Sequence, residues 1–416
     1  MKAGAKTRRE AELRLSWKVT TLDSTKMAPT SRLYNALNDF LRQCDIVWQD
    51  ARHLQTLCWM IIGMIESQNV HLNGFGVYVT SRAQFAQSHQ RRFRRWLSNR
   101  RIDVVSAHHA LLRQALSEWG SERLYLSLDT TVVWNCFCIV WVGVVYRGRT
   151  VPVAWRVMAQ ASSMVRLWTI QRVLRQAQRV LPQGVTVVLL ADRGFADGNL
   201  MKYLRENLGW HFRIRIKRSF QFQHQGQWCN VSSVQLLPGQ AYCTAAVSLG
   251  KSNPSANVYL AFAHDQQSGE DWTIVSDEPT SLQTFAQYRL RFQVEESFLD
   301  LKSNGFNLEA SRLRDKFALS QLCCVIALTM LFLILQGVQV VVSGKRRQVD
   351  AHWKRGMSYL KIGWNWIRLA ITHQWKIHVY PVLSSLPDPQ PAIASKRQQD
   401  DSFKREFTIL RHFPAS

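Results

Sequence analysis

An uncharged stretch from Phe317 to Gly344 constrains the fold more strongly than any other feature of the sequence. Leu, Val, Ile and Met dominate it. It is long enough to cross a bilayer, and Lys345 and two arginines follow it, as basic residues do after a membrane anchor. Gln321 and Gln336 interrupt the stretch, which favours a buried helix followed by a buried strand or a second helix. We therefore expect a core segment and no membrane partner, and a membrane anchor is the alternative.

The overall charge points to a polyanionic partner. The 416 residues include 53 Lys and Arg against 29 Asp and Glu, a formal net charge of +24 at pH 7. Strongly positive folded proteins usually bind nucleic acid or an anionic membrane surface, so an ordinary metabolic enzyme is not the expected class. Because 46% of the residues are hydrophobic, the chain can bury a large core and is not disordered as a whole.

The cysteines and the N-terminus both favour a reducing compartment. Eight cysteines occur without a C-x-x-C pair or a histidine at zinc-site spacing, so we expect no zinc site. The first residues are polar and basic, with Lys2, Arg8 and Arg9, and they lack the apolar segment of a signal peptide. We therefore expect a cytoplasmic protein.

Residues 1–120 form a predicted helical DNA-binding domain. Apolar residues recur there at intervals of three and four, and Asn73-Gly74 marks a turn. Four arginines and two aromatic residues surround one helical turn: Arg91, Arg92, Phe93, Arg94, Arg95 and Trp96. This pattern suits phosphate contacts and a ring that packs beside sugar or base. A solvated helix face is the alternative, and the overall charge favours DNA contact.

From Arg123 onwards, strands alternate with helices. Three β-rich runs precede a helix, a buried strand, a second helix and a fifth strand: Leu124–Trp134, Phe137–Tyr146, Val151–Met158, Ser163–Val180, Val185–Ala191, Asn199–Asn207 and Phe212–Ile216. The first of these helices has an apolar face that includes Trp168 and a basic face that includes Arg172 and Arg175. The order predicts an α/β fold with a mixed sheet flanked by helices, and it is the order of the ribonuclease-H-like fold.

A β-strand insertion interrupts this core before its last helix. Its predicted strands are Ala241–Ser248, Val258–Ala263 and Trp272–Ser276, and a long helix from about Thr280 to Ser303 follows. The predicted regions are the helical domain (1–120), the first part of the core (121–216), the insertion (217–279), the second part of the core (280–350) and a C-terminal region (351–416). The last region contains a predicted amphipathic helix and is a candidate for dimerisation.

Two aspartates stand where open α/β sheets bind their ligands. Asp129 lies among β-forming residues of the first strand, where a buried carboxylate needs a cation or a hydrogen bond. Asp192 follows the buried strand that ends at Ala191, at the carboxyl edge of the sheet. A structural role is the alternative for each, because aspartates at strand ends commonly cap helices and turns.

The long helix offers a third carboxylate. At about 100° per residue, four residues share a stripe about 60° wide: Tyr288, Arg291, Glu295 and Lys302. The neighbouring acids Glu296 and Asp300 fall outside that stripe, so Glu295 is the candidate. Such a face can present an acid to a metal while the other residues hold phosphate. A surface network of ion pairs is the alternative.

The spacing of these four residues resembles the Tyr-Arg-Glu-Lys signature of the bacterial cut-and-paste transposases of the insertion-sequence-four family. The segments Leu128-Asp129-Thr130-Thr131 and Ala191-Asp192-Arg193-Gly194-Phe195 resemble the surroundings of the two catalytic aspartates of that family. Trp272 resembles its tryptophan that stacks on a flipped base, and a core residue is the alternative. The resemblance covers about residues 121–310, and Leu299 stands where the best-studied members carry a second lysine.

The resemblance implies a DNA transposase with a metal-dependent active site. Asp129, Asp192 and Glu295 would hold two Mg²⁺ or Mn²⁺ ions, which suit oxygen ligands. Phosphate would be held by four further residues: Tyr288, Arg291, Lys302 and Arg193. The resemblance also implies cleavage of transposon ends through a DNA hairpin, joining to target DNA, a homodimer on paired ends and action on nucleoid DNA in a bacterial cytoplasm. A catalytically inactive repressor and a ribonuclease-H-like nuclease that cuts without joining are the alternatives.

Overall fold

The structure is a computed structural model that describes residues 29–43, 48–120, 122–251, 255–303, 305–392 and 407–414. The basic N-terminal residues on which the expectation about secretion rests lie outside these ranges. Within them, the N-terminal helices, the sheet and the C-terminal helices share a large hydrophobic core, and a smaller one lies beneath the insertion.

Helices form the N-terminal region, as predicted: α1 (Pro29–Arg42), α2 (Ala51–Ser67), α3 (Ala86–Ser98) and α4 (Val104–Ala115). Aspartates begin two of them, because the carboxylate of Asp50 accepts the Arg52 N–H at 2.8 Å and that of Asp103 accepts the Ser106 N–H at 3.0 Å. The apolar faces of these helices are buried in the large core.

Five strands form the predicted mixed sheet: β1 (Arg123–Val133), β2 (Phe137–Tyr146), β3 (Arg149–Met158), β4 (Thr186–Ala191) and β5 (His211–Arg215). Their order is β3-β2-β1-β4-β5, in which β1 is antiparallel to β2 and parallel to β4, and β4 is parallel to β5. Helix α5 (Leu167–Gln178) packs against β2 and β3. The predicted ribonuclease-H-like fold class is confirmed.

Both helices that flank β4 differ in length from the prediction. The side-chain amide of Gln160 donates to the carbonyls of Ser162 and Met164, both at 2.8 Å, and so holds the segment before α5 in a loop. The second helix consists of α6 (Gly198–Tyr203) and a π-helical turn at Leu204–Leu208. The first helix is therefore shorter than predicted, and the second, with its π-helical turn, extends one residue beyond each predicted end.

The predicted insertion continues the central sheet. Its strands are β6 (Gln221–His224), β7 (Gln227–Asn230), β8 (Gln240–Cys243), β9 (Val247–Leu249), β10 (Ser255–His264) and β11 (Asp271–Ser276). Because β11 pairs with both β5 and β10, these strands extend the sheet beyond β5. The single predicted strand Ala241–Ser248 is two strands. The unpredicted β6–β7 hairpin turns at Gln225-Gly226, whose φ angles of 49° and 82° suit a tight hairpin turn.

The predicted helix before Ser303 contains a tighter turn. It consists of α7 (Leu282–Arg289), a 3₁₀ turn at Leu290–Phe292 and α8 (Gln293–Lys302). Tyr288 lies in the last turn of α7 and Arg291 in the 3₁₀ turn, and residues three apart share one face in both kinds of helix. The Arg291 guanidinium carbon accordingly lies 5.8 Å from the centre of the Tyr288 ring.

The uncharged stretch forms one helix, α9 (Lys316–Val342), and not the helix followed by a second element that its polar residues predicted. This helix is long and apolar enough to cross a membrane, and 94% of its most apolar window is buried inside the fold. It packs against α2, α3, α4 and β3. The side-chain amide of Gln336 donates to the His378 carbonyl at 2.6 Å and accepts the His378 N–H at 2.9 Å, so this interrupting residue is satisfied internally.

The predicted amphipathic helix is α10 (Tyr359–Thr372), which packs closely on α9. A Cβ on Gly337 would lie 1.9 Å from the Tyr359 carbonyl oxygen, and one on Gly363 would lie 1.8 Å from that of Leu333, so both positions require glycine. Near the C-terminus, β12 (Thr408–Ile409) pairs in parallel with β8. The role of this region in dimerisation stays a prediction.

Candidate catalytic site

Adjacent parallel strands place the two predicted aspartates side by side. Leu128 of β1 pairs with Ala191, the last residue of β4, so Asp129 and Asp192 follow a matched pair. Neighbouring strands lie about 5 Å apart, and matched residues project their side chains from the same face. The negative charge of Asp192 accordingly contributes to the raised pKa of Asp129.

The environment of Asp129 disfavours an unpaired negative charge. Its side chain is only 18% exposed, and burial, followed by the charges of Asp192 and Glu295, raises the pKa of its carboxyl to about 6. The Thr130 N–H donates to Oδ1 at 2.7 Å and opposes that rise, as does Arg291. Arg291 therefore offsets only part of the cost of a buried carboxylate beside two further acids, a situation that a bound cation would relieve.

Arg291 joins the first strand to the site helix. Its Nη1 lies 3.4 Å from Oδ2 of Asp129, and its Nη2 donates to Oε1 of Glu295 at 2.6 Å. The arginine side chain is 7% exposed, whereas that of Glu295 is 51% exposed. The structure therefore gathers Asp129, Glu295 and Arg291 as the sequence predicts, with the guanidinium group between the two acids.

The other charged residues of α8 lie on the two sides of the helix that the predicted stripe separates. Lys302 lies on the same side as Glu295, and its Nζ donates to the Val132 carbonyl of β1 at 3.1 Å. Glu296 and Asp300 lie on another side and pair with Arg149 of β3 at 3.5 and 2.5 Å. These two acids therefore serve the packing of α8 on β3. In the same helix Leu299 is exposed. It stands where the best-studied members of the insertion-sequence-four family carry a second lysine, so this position has no positive charge.

Asp192 and Arg193 form the edge of the site. The Asp192 carboxylate accepts the Arg193 N–H at 2.6 Å and so begins a 3₁₀ turn at Arg193–Phe195. This is the capping role that was the alternative to catalysis, and the second carboxylate oxygen of Asp192 has no part in it. The Arg193 side chain is exposed.

Trp272 and Tyr288 lie in the smaller core and not at an open surface. Trp272 is 5% exposed, Tyr288 is fully buried, and their ring centres are 5.8 Å apart in an edge-to-face contact. The guanidinium groups of Arg215 and Arg289 lie 5.8 and 5.7 Å from the Trp272 ring centre. Burial also raises the pKa of the Tyr288 hydroxyl to about 12. In this conformation neither side chain reaches a DNA base or phosphate.

The arginine cluster of α3 is only partly available to DNA. Arg91, Arg94 and Arg95 are exposed. Arg92 is half-buried and bound to α2, where its Nε donates to Oγ1 of Thr56 at 2.9 Å and its Nη2 to Oε1 of Gln55 at 3.1 Å. The expectation that interleaved rings pack beside DNA is wrong, because both aromatic residues of the cluster are buried and anchor α3 in the large core.

The exposure of one aromatic residue, Trp168, was not predicted from the sequence. Trp168 of α5, predicted on the buried face, is 46% exposed. The guanidinium groups of Arg156 and Arg172 lie 5.6 and 5.0 Å from its ring centre. Helical spacing alone did not reveal it, because the helix begins only at Leu167 and the residues that follow Trp168 in the first turn, Thr169 and Ile170, are buried.

The three carboxylates have the donor chemistry that a divalent cation needs. Oxygen ligands from Asp and Glu suit Mg²⁺ and Mn²⁺, and three interacting negative charges require a balancing cation. Arg291 supplies that balance in this conformation. Throughout the described ranges, no three His, Cys, Asp or Glu side chains are gathered closely enough to surround an ion. In this arrangement the guanidinium group of Arg291 lies where a cation would otherwise contact both Asp129 and Glu295.

A family model matches the middle of the chain. Residues 144–332, somewhat less than half of the sequence, match the transposase DDE domain. The matched segment includes Asp192, Trp272 and Glu295 and begins after Asp129. No curated protein matches the chain.

The chain is similar to one in a solved structure described as "Cryo-EM structure of piggyBac transposase synaptic complex with hairpin DNA (SNHP)". It is 9% identical, with a TM-score of 0.41, and the similarity covers 91% of this chain and 82% of that chain. Membership of the insertion-sequence-four family stays a prediction. Residues 144–332 are similar in sequence to transposase DDE domains.

Proposed function

We propose that the chain is a DNA transposase that cleaves transposon ends and joins them to target DNA by metal-dependent phosphoryl transfer. The observation that carries the proposal is that Arg291 bridges Asp129 and Glu295, while Asp192 follows the strand beside that of Asp129. These acids come from three separate segments of the chain, and the charges of Asp192 and Glu295 both act on Asp129. The match of residues 144–332 to the transposase DDE domain supports the same reaction class.

In the proposed reaction, Asp129, Asp192 and Glu295 would hold two divalent cations, Mg²⁺ or Mn²⁺. When bound, such ions activate the attacking oxygen and stabilise the leaving oxygen at a scissile phosphate. Arg291, once released from the acids, is positioned to neutralise a phosphate oxygen beside them. Lys302 is already fixed against β1, and Arg193 extends from the edge of the site towards solvent. In this proposal the basic side chains of Arg291, Lys302 and Arg193 contact the DNA phosphates, and the three carboxylates bind the metal ions.

We propose cleavage through a DNA hairpin, with Trp272 stacking on a flipped base. Because Trp272 is buried, this role requires the arginines beside it to move and expose one ring face. Stacking of a base on an aromatic side chain contributes about 1 to 3 kcal/mol, and a cation–π contact contributes about 0.5 to 2 kcal/mol. The exchange of arginine for base is therefore close to balanced.

We further propose that the protein acts as a homodimer on paired double-stranded ends, with nucleoid DNA in a bacterial cytoplasm. Exposed arginines on two helices support extended DNA contact: Arg91, Arg94 and Arg95 on α3, and Arg172 and Arg175 on α5. Contacts of this kind are independent of sequence and weaken with salt. They suit both the transposon ends and an arbitrary target.

A strand-transfer assay tests the proposal. The donor is a plasmid that carries the DNA flanking the coding region on both sides, and a supercoiled plasmid is the target. We expect Mg²⁺-dependent release of the ends, hairpin-ended fragments on a denaturing gel and ends joined to the target. Cleavage without joined products would identify a nuclease, and end binding without metal-dependent cleavage would identify a repressor. Either result would overturn the proposal.

A further inference from the structure

An exposed tryptophan stands on the loop between α9 and α10. Trp353 is 82% exposed, whereas the tryptophans of the neighbouring helix, Trp364 and Trp366, are buried. A tryptophan carries a large apolar surface and an N–H donor, and it is typically enriched where a protein meets a partner. Single exposed residues are common on protein surfaces, so the surroundings of Trp353 decide whether it marks a site.

The backbone around Trp353 is fixed by a buried ion pair. Arg346 donates to the carbonyls of His352 and Trp353 at 2.8 and 2.7 Å, and it pairs with Asp350 at 3.0 Å. Asp350 is fully buried and also accepts the N–H groups of His352 and Gly356, both at 3.1 Å. The loop therefore has one defined conformation in which the indole ring projects outwards.

The exposed charge of this loop is entirely positive. Lys345, Arg347 and Lys354 are exposed, and the acid of the loop, Asp350, is buried against Arg346. The Arg347 guanidinium lies 5.0 Å from the centre of the Trp353 ring and covers one face. At 82% exposure the other face is open. The loop thus combines an open aromatic face with three cations.

We propose that the loop Lys345–Lys354 is a second nucleic-acid site, which binds unpaired DNA by stacking Trp353 on a base. Lys345, Arg347 and Lys354 contact the neighbouring phosphates. Aromatic rings among cations bind single strands in this way, because unpaired bases offer their faces and paired bases do not. The inference goes beyond the proposed function, since this binding needs neither the carboxylates nor a metal.

A lipid surface fits the loop less well. Binding in a membrane interface requires a wide apolar face on a helix. The apolar residues of α10, such as Ile362 and Ile367, are buried in the large core. Val342, Trp353 and Tyr380 are exposed around the loop but come from three separate segments and do not share a helix face. Charge complementarity with an open ring therefore favours a nucleic acid.

Fluorescence anisotropy with the full chain in EDTA tests the site. The probes are a labelled oligothymidine of about 20 nucleotides and a blunt duplex of equal length. Trp353→Ala is expected to weaken oligothymidine binding by about 5- to 100-fold, as loss of one stacked base predicts, and duplex binding by less than about twofold. Trp353→Phe keeps a ring and should retain most of the affinity.

Lys354→Ala provides a second variant that leaves the ring in place. It should lower the slope of log affinity for oligothymidine against log salt by about 0.7, as loss of one phosphate contact to a single strand predicts. Unchanged oligothymidine binding by both variants would overturn the site, as would equal losses on both probes with Trp353→Ala. Phosphatidylserine vesicles form the third arm: loss of vesicle binding with intact oligothymidine binding would assign the loop to lipid. If the protein does not cleave transposon ends but Trp353→Ala selectively weakens oligothymidine binding, only the proposed function is rejected and the site at the loop stands.

Discussion

Replacing Asp129 with asparagine should stabilise the metal-free protein at about pH 8. Burial raises the pKa of the Asp129 carboxyl from its ordinary 3.8 to about 6, and Asp192 and Glu295 add to the rise. The folded protein therefore holds this proton more tightly than the unfolded chain does. The corresponding stability is fully present below about pH 4 and is lost as the pH rises through about 6.

The magnitude follows from those two pKa values. A pKa difference of one corresponds to about 1.4 kcal/mol, so ionisation of Asp129 lowers the free energy of unfolding by about 3 kcal/mol above pH 6. Asparagine does not ionise and avoids this cost. The attraction of Arg291 for the ionised carboxylate is already contained in the pKa of about 6. The expected gain for Asp129→Asn at about pH 8 is therefore up to about 3 kcal/mol.

Urea unfolding in EDTA between about pH 4 and 8 measures this effect. The free energy of unfolding of the wild type should fall with rising pH relative to that of Asp129→Asn. Glu296→Gln removes an exposed carboxylate from the same helix as Glu295 and should follow the wild type. Parallel pH curves for wild type and Asp129→Asn, or a less stable Asp129→Asn at about pH 8, would refute the reasoning.

Two further predictions concern the buried tryptophan and the arginine cluster. Trp272→Ala should lower the free energy of unfolding by about 3 to 5 kcal/mol, because it empties a buried position. Trp272→Phe should lower the free energy of unfolding less, since the Trp272 Nε1 has no hydrogen-bond partner among the described residues. An unchanged yield of DNA hairpins with both variants would show that Trp272 serves only in the core. Arg94→Ala with Arg95→Ala should lower the slope of log affinity for duplex DNA against log salt by about 2, with the melting temperature unchanged. Arg92→Ala should instead lower the melting temperature, and a loss of slope without that change would contradict its internal role.

The sheet was predictable because its strands are apolar runs bounded by turns. Val185–Ala191 could be placed within one residue of β4, since a strand buried on both faces is apolar throughout. The β6–β7 hairpin was missed because its residues are mostly polar and its pairing depends on a turn with two positive φ angles. The prediction of helix ends was wrong where a side chain such as that of Gln160 bonds to the backbone, because the spacing of apolar residues does not depend on such bonds.

The site was predictable as a set of residues but not as a set of contacts. Helical spacing separated Glu295 from Glu296, because the angle around a helix depends only on residue number. The position of Arg291 between Asp129 and Glu295 depends on how α8 packs on β1, which no local pattern contains. The burial of Trp272 depends in the same way on α7 covering β11.

Metal-dependent cleavage of transposon ends by single carboxylate variants tests the central claim most directly. The variants are Asp129→Asn, Asp192→Asn and Glu295→Gln, with Glu296→Gln as the matched control on α8. We predict that each of the three loses cleavage in Mg²⁺ and in Mn²⁺ while retaining end binding, and that the control cleaves as the wild type does. Full cleavage by any one of the three would contradict the assignment of that carboxylate to the active site.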